Sequence, residues 1–170
     1  GDEVNNDEKE AVDPSKSEIK GLKYGDEIMA KIDEAEKFKE EMESWEALIL
    51  KGENPPKPVS LIRIGGMNPA EYVIKSLTGN SLSQLENSLK FLHLNYIERL
   101  LHYCCYCVTN SLEVEICCRV LNFIIKTHES SILASPKLLV YIKDIHENLD
   151  LGLTKQLDNV GYNIAAIKMM

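Results

Sequence analysis

Seven apolar residues set the first constraint on this chain. Ile28, Ile32, Ala35, Phe38, Met42, Trp45 and Ile49 recur at gaps of 4, 3, 3, 4, 3 and 4, which is 21 residues in six steps, or 3.5 on average. That period lays one apolar stripe along an α-helix and cannot be met by a strand, whose faces alternate every two residues. The other faces are dense in Glu and Lys, with Lys37–Glu41 and Lys39–Glu43 at the spacing of surface ion pairs. Such a helix opens near Asp26, runs for about 24 residues and reaches roughly 36 Å. Lys51-Gly52 supplies a basic last turn and a glycine stop. Pro55, Pro56 and Pro58 then make residues 53–60 a stiff, extended linker.

Beyond the linker the chain is punctuated by helix starts. Val59–Ile64 is a short apolar run that reads as extended, and Gly65-Gly66 as a turn. Asn68-Pro69-Ala70-Glu71 offers a cap, a proline at the first helical position and an acid closing the box. Ser81-Leu82-Ser83-Gln84 is a second capping box, Asn95 a candidate cap, and Ser135-Pro136 another start. Between these points lie the stripes Leu82/Leu85/Leu89/Leu92, Ile97/Leu101/Cys104/Val108, Cys117/Val120/Leu121/Ile124 and Leu138/Ile142/Ile145/Leu149. A last one runs Leu153, Leu157, Val160, Ile164, Ile167. The expected fold is all-α: stacked antiparallel helical hairpins, about six helices, preceded by one long amphipathic helix.

Charge divides the chain unevenly. Residues 1–60 carry 17 acids and 9 bases, whereas residues 61–170 carry 10 of each. No part has the basic excess of a primary nucleic-acid binder. Residues 1–23 read as a disordered acidic lead-in, since the first 17 hold only Val4, Ala11 and Val12 as aliphatics. The division expected is therefore lead-in 1–23, long helix 24–52, linker 53–60 and helical assembly domain 61–170. No run approaches a membrane span, and no signal peptide is recognisable. Gly1-Asp2-Glu3 in place of an initiator methionine fits a chain cut from a longer protein.

Candidate chemistry is weak. Cys104, Cys105, Cys107, Cys117 and Cys118 are odd in number and sit inside apolar runs, which points to a reducing compartment rather than a disulfide scaffold. The Cys104-x-x-Cys107 spacing lies mid-helix, where core packing is expected over a zinc or redox role. His93, His102, His128 and His146 have no nucleophile placed beside them, and Gly65-Gly66 lacks a phosphate-loop frame. The reading is of a non-enzyme, with no cofactor, metal or small-molecule substrate. The long helix is the exception, because its stripe must be covered, either by folding back on residues 61–170 or by docking on another chain. The interface candidates are Ile28, Ile32, Phe38, Met42, Trp45 and Ile49, with Ile164 and Ile167 from the last stripe.

Several pieces together carry a resemblance. Gly25-Asp26-Glu27-Ile28-Met29, Asn68-Pro69-Ala70-Glu71-Tyr72-Val73, Leu85-Glu86-Asn87-Ser88-Leu89, Cys118-Arg119-Val120-Leu121 and Gly161-Tyr162-Asn163-Ile164-Ala165 occur in order from Tyr24 to Ile167. In that order and spacing the chain resembles the C-terminal helical domain of the Dip/UtpB-type WD-repeat proteins of the small-subunit processome, the WD repeat-containing protein 3 family. The resemblance implies a non-catalytic, nucleolar scaffold. It would pair with the related helical domain of a sister WD-repeat subunit within the UtpB complex, or self-associate as a homodimer in isolation. It would meet the pre-rRNA ribonucleoprotein indirectly and support 18S rRNA maturation. The alternative is a direct pre-rRNA or small nucleolar RNA binding module. That reading needs a basic surface assembled by folding from Arg63, Lys75, Lys90, Arg99, Arg119, Lys126, Lys137, Lys143 and Lys155.

Overall fold

Local sequence sets three of the helix starts directly. In the computed structural model, which describes residues 14–150, Asn68 caps its helix through an Ala70 N–H···Oδ1 bond of 2.8 Å, and Pro69 takes the first helical position. Ser81 and Gln84 form the reciprocal capping box expected of them. The Leu138 N–H reaches Ser135 Oγ at 3.4 Å. The helix assigned to Asn95 begins instead at Leu94 with His93 at the cap position, and neither residue makes a capping side-chain bond there.

The described residues form eight helices and no strand: α1 Pro14–Leu50, α2 Val59–Arg63, α3 Pro69–Leu77, α4 Leu82–Leu89, α5 Leu94–Thr109, α6 Val114–Thr127, α7 Glu129–Leu133 and α8 Pro136–Asp150. The all-α class expected from the periodicity is the class observed. Two elements differ from expectation. α1 starts at Pro14 rather than near Asp26, so residues 14–23, expected in the disordered lead-in, are helical, and the 37 residues of α1 span about 55 Å; residues 1–13 of that lead-in lie outside the described residues. Residues 59–63 are helical rather than extended. That turn sets Leu61 and Ile64 three residues apart on one face, and both are buried against Phe38. The stripe Leu153–Ile167, with Ile164 and Ile167, lies outside the described residues.

One core joins α1 to α3–α8. Ile28, Ile32 and Ala35 of α1 meet Val73, Ile74 and Leu77 of α3, Leu85 and Leu89 of α4, and Leu100 and Leu101 of α5. Each large side chain buried there contributes about 1.5–3 kcal/mol, so the stripe, not the surface charge, holds α1 in place. The α1–α4 contact is close because two glycines lie on it. A Cβ on Gly21 would stand 2.7 Å from Phe91 Cε2 and 3.0 Å from the Asn87 carbonyl, and one on Gly25 would stand 3.2 Å from the Ser88 carbonyl. Gln84 Nε2 donates to Tyr24 OH (3.1 Å) and Asn87 Nδ2 to Ser17 Oγ (3.3 Å) along the same seam.

α5 is central, buried through Ile97, Leu100, Leu101, Cys104, Cys107 and Val108. Lys137 pairs with Glu98, and the Tyr141 ring lies 5.5 Å from that of His102, so α8 runs along α5 in the same direction. At the far end of α1, Gly52 adopts φ +83° and its N–H closes on Ile49 O at 2.9 Å. The linker then turns back, with Trp45 Nε1 donating to Pro55 O (3.2 Å) and Ser60 bonding Glu41.

Candidate interaction surface

Three tyrosines from the body of the protein grip three successive acids of α1. Tyr72 of α3 donates to Glu34 at 2.9 Å and accepts from Lys31 Nζ at 2.7 Å. Tyr96 of α5 donates to Asp33 at 2.9 Å, and Arg99 reaches the other oxygen of that carboxylate at 3.3 Å. Tyr103, two turns further along the same face of α5, bonds Glu36. Burial and the Glu36 carboxylate push the Tyr103 phenol far above its ordinary value of 10.0, and the Asp33 carboxylate raises Tyr96. In each case the carboxylate accepts from the neutral phenol, so losing that proton would set two negative charges together. Among the described residues, Asp33, Glu34 and Glu36 of α1 are engaged across the fold in this way, and Lys37–Glu41 and Lys39–Glu43 do not pair.

The stripe divides along its length. Ile28 and Ile32 lie in the main core, and Phe38 forms a second cluster with Leu61 and Ile64, its ring meeting the Tyr72 ring edge-on at 5.5 Å. These three residues are covered by their own chain. Met42 and Trp45 are half-buried, and Ile49 is 43% exposed. Ile164 and Ile167 are outside the described residues. Past Glu43, α1 meets its own returning linker, with Trp45 bonded to Pro55, and Ser44–Arg63 forms an arm. The arm leaves Leu50 88%, Val59 71% and Ile62 59% exposed.

At the root of the arm lies a cavity of about 170 Å³. Met42 and Glu43 of α1, Pro69 and Ala70 at the start of α3, and His102 and Tyr106 of α5 enclose it. Neither this cavity nor the exposed Leu50 was read from the sequence. Leu50 falls off the apolar stripe of α1, so periodicity does not single it out.

The remaining candidate groups are used for packing or are paired. Cys104, Cys107 and Cys117 approach one another between α5 and α6, and none of the five cysteines is in a disulfide. Their mutual hydrogen bonding and burial raise Cys107 and Cys117 well above the ordinary thiol value, and burial alone pushes Cys118 up to about 12. Thiols held protonated are poor nucleophiles and poor metal ligands. Among the described residues no group of three or more His, Cys, Asp and Glu side chains is placed to hold a metal ion, and no helix is long and apolar enough to cross a membrane. His128 Nε2–H bonds the Leu89 carbonyl at 2.9 Å, tying the end of α6 to α4. Of the basic residues, Arg99, Arg119 and Lys137 are matched by Asp33, Glu115 and Glu98.

Fold and surface together define an all-helical domain whose open chemistry is apolar and acidic. The model of the Dip2/Utp12 family matches residues 69–170, more than half of the sequence. The chain belongs to that family. It is 28% identical over 158 residues to WD repeat-containing protein 3 of Mus musculus, an alignment covering 89% of this chain and 16% of that protein. Against the protein of that name from Homo sapiens it is 27% identical over 156 residues, with 89% and 16% covered. Against U3 small nucleolar RNA-associated protein 12 of Saccharomyces cerevisiae it is 25% identical over 178 residues, covering 96% of this chain and 19% of that protein. The chain thus spans under one fifth of the length of these relatives.

Proposed function

We propose that this chain is a non-catalytic assembly domain of a ribosome-biogenesis factor acting in the small-subunit processome in the nucleolus. The observation that carries this reading is membership of the Dip2/Utp12 family, together with likeness to a yeast protein named for its association with a small nucleolar RNA. Its finer form is helix-mediated pairing with the related helical domain of a sister WD-repeat subunit of UtpB, through which the chain supports pre-rRNA processing and 18S rRNA maturation. The physical support is that α1 is spent on the chain's own core as far as Phe38, while the arm beyond it keeps large aliphatic groups in water. Protein rather than RNA suits the arm, because its exposed aliphatic groups lie beside the exposed carboxylates of Glu40, Glu43 and Glu46, and three of the nine candidate cations, Arg99, Arg119 and Lys137, already have acid partners.

Co-expression with the sister helical domain tests the reading. A stoichiometric complex by gel filtration with light scattering is the expected result. A chain that captures no sister domain, yet binds pre-rRNA or small nucleolar RNA tightly and with steep salt dependence, would replace it with the RNA-binding alternative.

A further inference from the structure

The cavity at the root of the arm does not stand alone. At 100° per residue, Lys39, Glu43, Glu46 and Leu50 fall within about 60° of one another on α1. Lys39 and Glu43 line the cavity. Their face therefore continues outward past Glu46 to Leu50, a ridge of roughly 16 Å, or three helical turns. α2 cannot cover this ridge, because it is seated on the Phe38 and Met42 side of α1. The result is a groove with a partly open, mostly apolar pocket at one end and a bare leucine at the other.

We propose that this groove seats a helix of another protein, one presenting a single bulky apolar side chain to the pocket and lysine or arginine to Glu43 and Glu46. The proposal rests on the assembly reading above and assigns it a face and a partner chemistry. A cavity of roughly 150 Å³ is enough to hold a benzene ring, so one aliphatic or aromatic side chain fills the pocket and buries against Met42, Pro69 and Tyr106. Such a filled pocket is the usual form of an energetic anchor at a protein interface. Charge sets the flank. Glu43 and Glu46 are exposed and form no ion pair among the described residues, and Glu40 lies beside them, so carboxylates outnumber Lys39 along the ridge. The same carboxylates repel a phosphate backbone. A straight ridge of three turns beside an apolar pocket is matched by a helix rather than by an extended strand, since no unpaired sheet edge is present among the described residues.

The probes are two synthetic 18-residue helical peptides with the same leucine face, one flanked by lysine and the other by glutamate. Binding to the full chain is read by fluorescence anisotropy. The lysine peptide should bind and the glutamate peptide should not. Glu43→Lys with Glu46→Lys should weaken the lysine peptide at least tenfold and admit the glutamate peptide. Leu50→Ser and Tyr106→Ala should each weaken binding several-fold. The charge-matched pair Glu18→Lys with Asp26→Lys, at the other end of α1, should change nothing. Equal losses from the two charge pairs, or binding indifferent to Leu50 and Tyr106, would overturn the proposal. So would occupation by the chain itself, seen as tighter peptide binding after Leu157→Asp, or as a dimer that Glu43→Lys with Glu46→Lys dissociates. If the same groove variants still capture the sister domain, the groove is wrong and the assembly reading stands. If the wild-type chain captures no sister domain, the assembly reading itself fails.

Discussion

Gly21 and Gly25 sit four residues apart in a helix, where glycine costs about 1 kcal/mol relative to alanine. Both lie against α4, and the two positions should separate. At Gly21 an added methyl would press on the Asn87 carbonyl at 3.0 Å as well as the Phe91 ring at 2.7 Å, and overpacking of that kind costs about 1–3 kcal/mol. At Gly25 its nearest neighbour is the Ser88 carbonyl at 3.2 Å, and a shift of a few tenths of an ångström relieves it. Gly21→Ala is therefore expected to lower the urea midpoint, while Gly25→Ala, helped by helix propensity, leaves it near the wild-type value. Equal losses at both would show that the α1–α4 seam is uniformly tight. This pair could not be read from periodicity, which scores glycine only as a weak helix former. The cysteines could be read, because each falls in or beside an apolar stripe. Four are buried and Cys105 is half-buried, so Ellman's reagent at pH 8 should find one slow thiol in the native protein and five after unfolding. Rapid reaction of several thiols before unfolding would contradict the packing between α5 and α6.

At the scale of the element, α1 is held by apolar burial and oriented by the tyrosine–acid contacts. Tyr103→Phe removes a hydroxyl from a buried ring and leaves Glu36 short of a donor, an expected loss of about 1 kcal/mol. The pH dependence has a definite sign. Tyr103 and Tyr96 titrate higher in the folded chain than the ordinary value of 10.0, so the unfolded chain releases those protons first. Their contribution is complete below pH 10 and is lost as pH rises beyond it. Denaturant unfolding between pH 8 and 11 should show the decline, and Tyr103→Phe should flatten it. An unchanged slope would remove Tyr103 from the account. The same element marks what the sequence could and could not convey. The caps at Asn68 and Ser81 were legible because a cap is a contact among residues two or three apart. The helical state of Val59–Arg63 was not, because alternating branched residues favour an extended reading until Phe38, distant in sequence, covers Leu61 and Ile64. Asp33, Glu34 and Glu36 read as a solvated face for the same reason, since the phenols that bind them arrive from α3 and α5.

The whole molecule is built from two apolar clusters of unequal size. The larger joins α1 to α3–α8, and the smaller holds Phe38, Leu61 and Ile64 with Met42 and Tyr72 beside them. Local opening follows the number of buried apolar contacts that must break, so the arm should melt ahead of the body. The chain's single tryptophan, Trp45, lies on the arm with its indole N–H on Pro55, and its fluorescence reports the arm while far-ultraviolet circular dichroism reports all the helices. The fluorescence midpoint in urea is expected below the circular dichroism midpoint. Leu61→Ala should move the first and barely touch the second. Ile32→Ala, at a fully buried position in the larger cluster, should lower the second by the equivalent of about 2–5 kcal/mol. Coincident transitions that both substitutions shift together would make arm and body one cooperative unit. An arm that opens first is also consistent with assembly: a helix seated in the groove touches both its root at Met42 and the body at Tyr106, so it binds the closed arm alone and should draw the two transitions together.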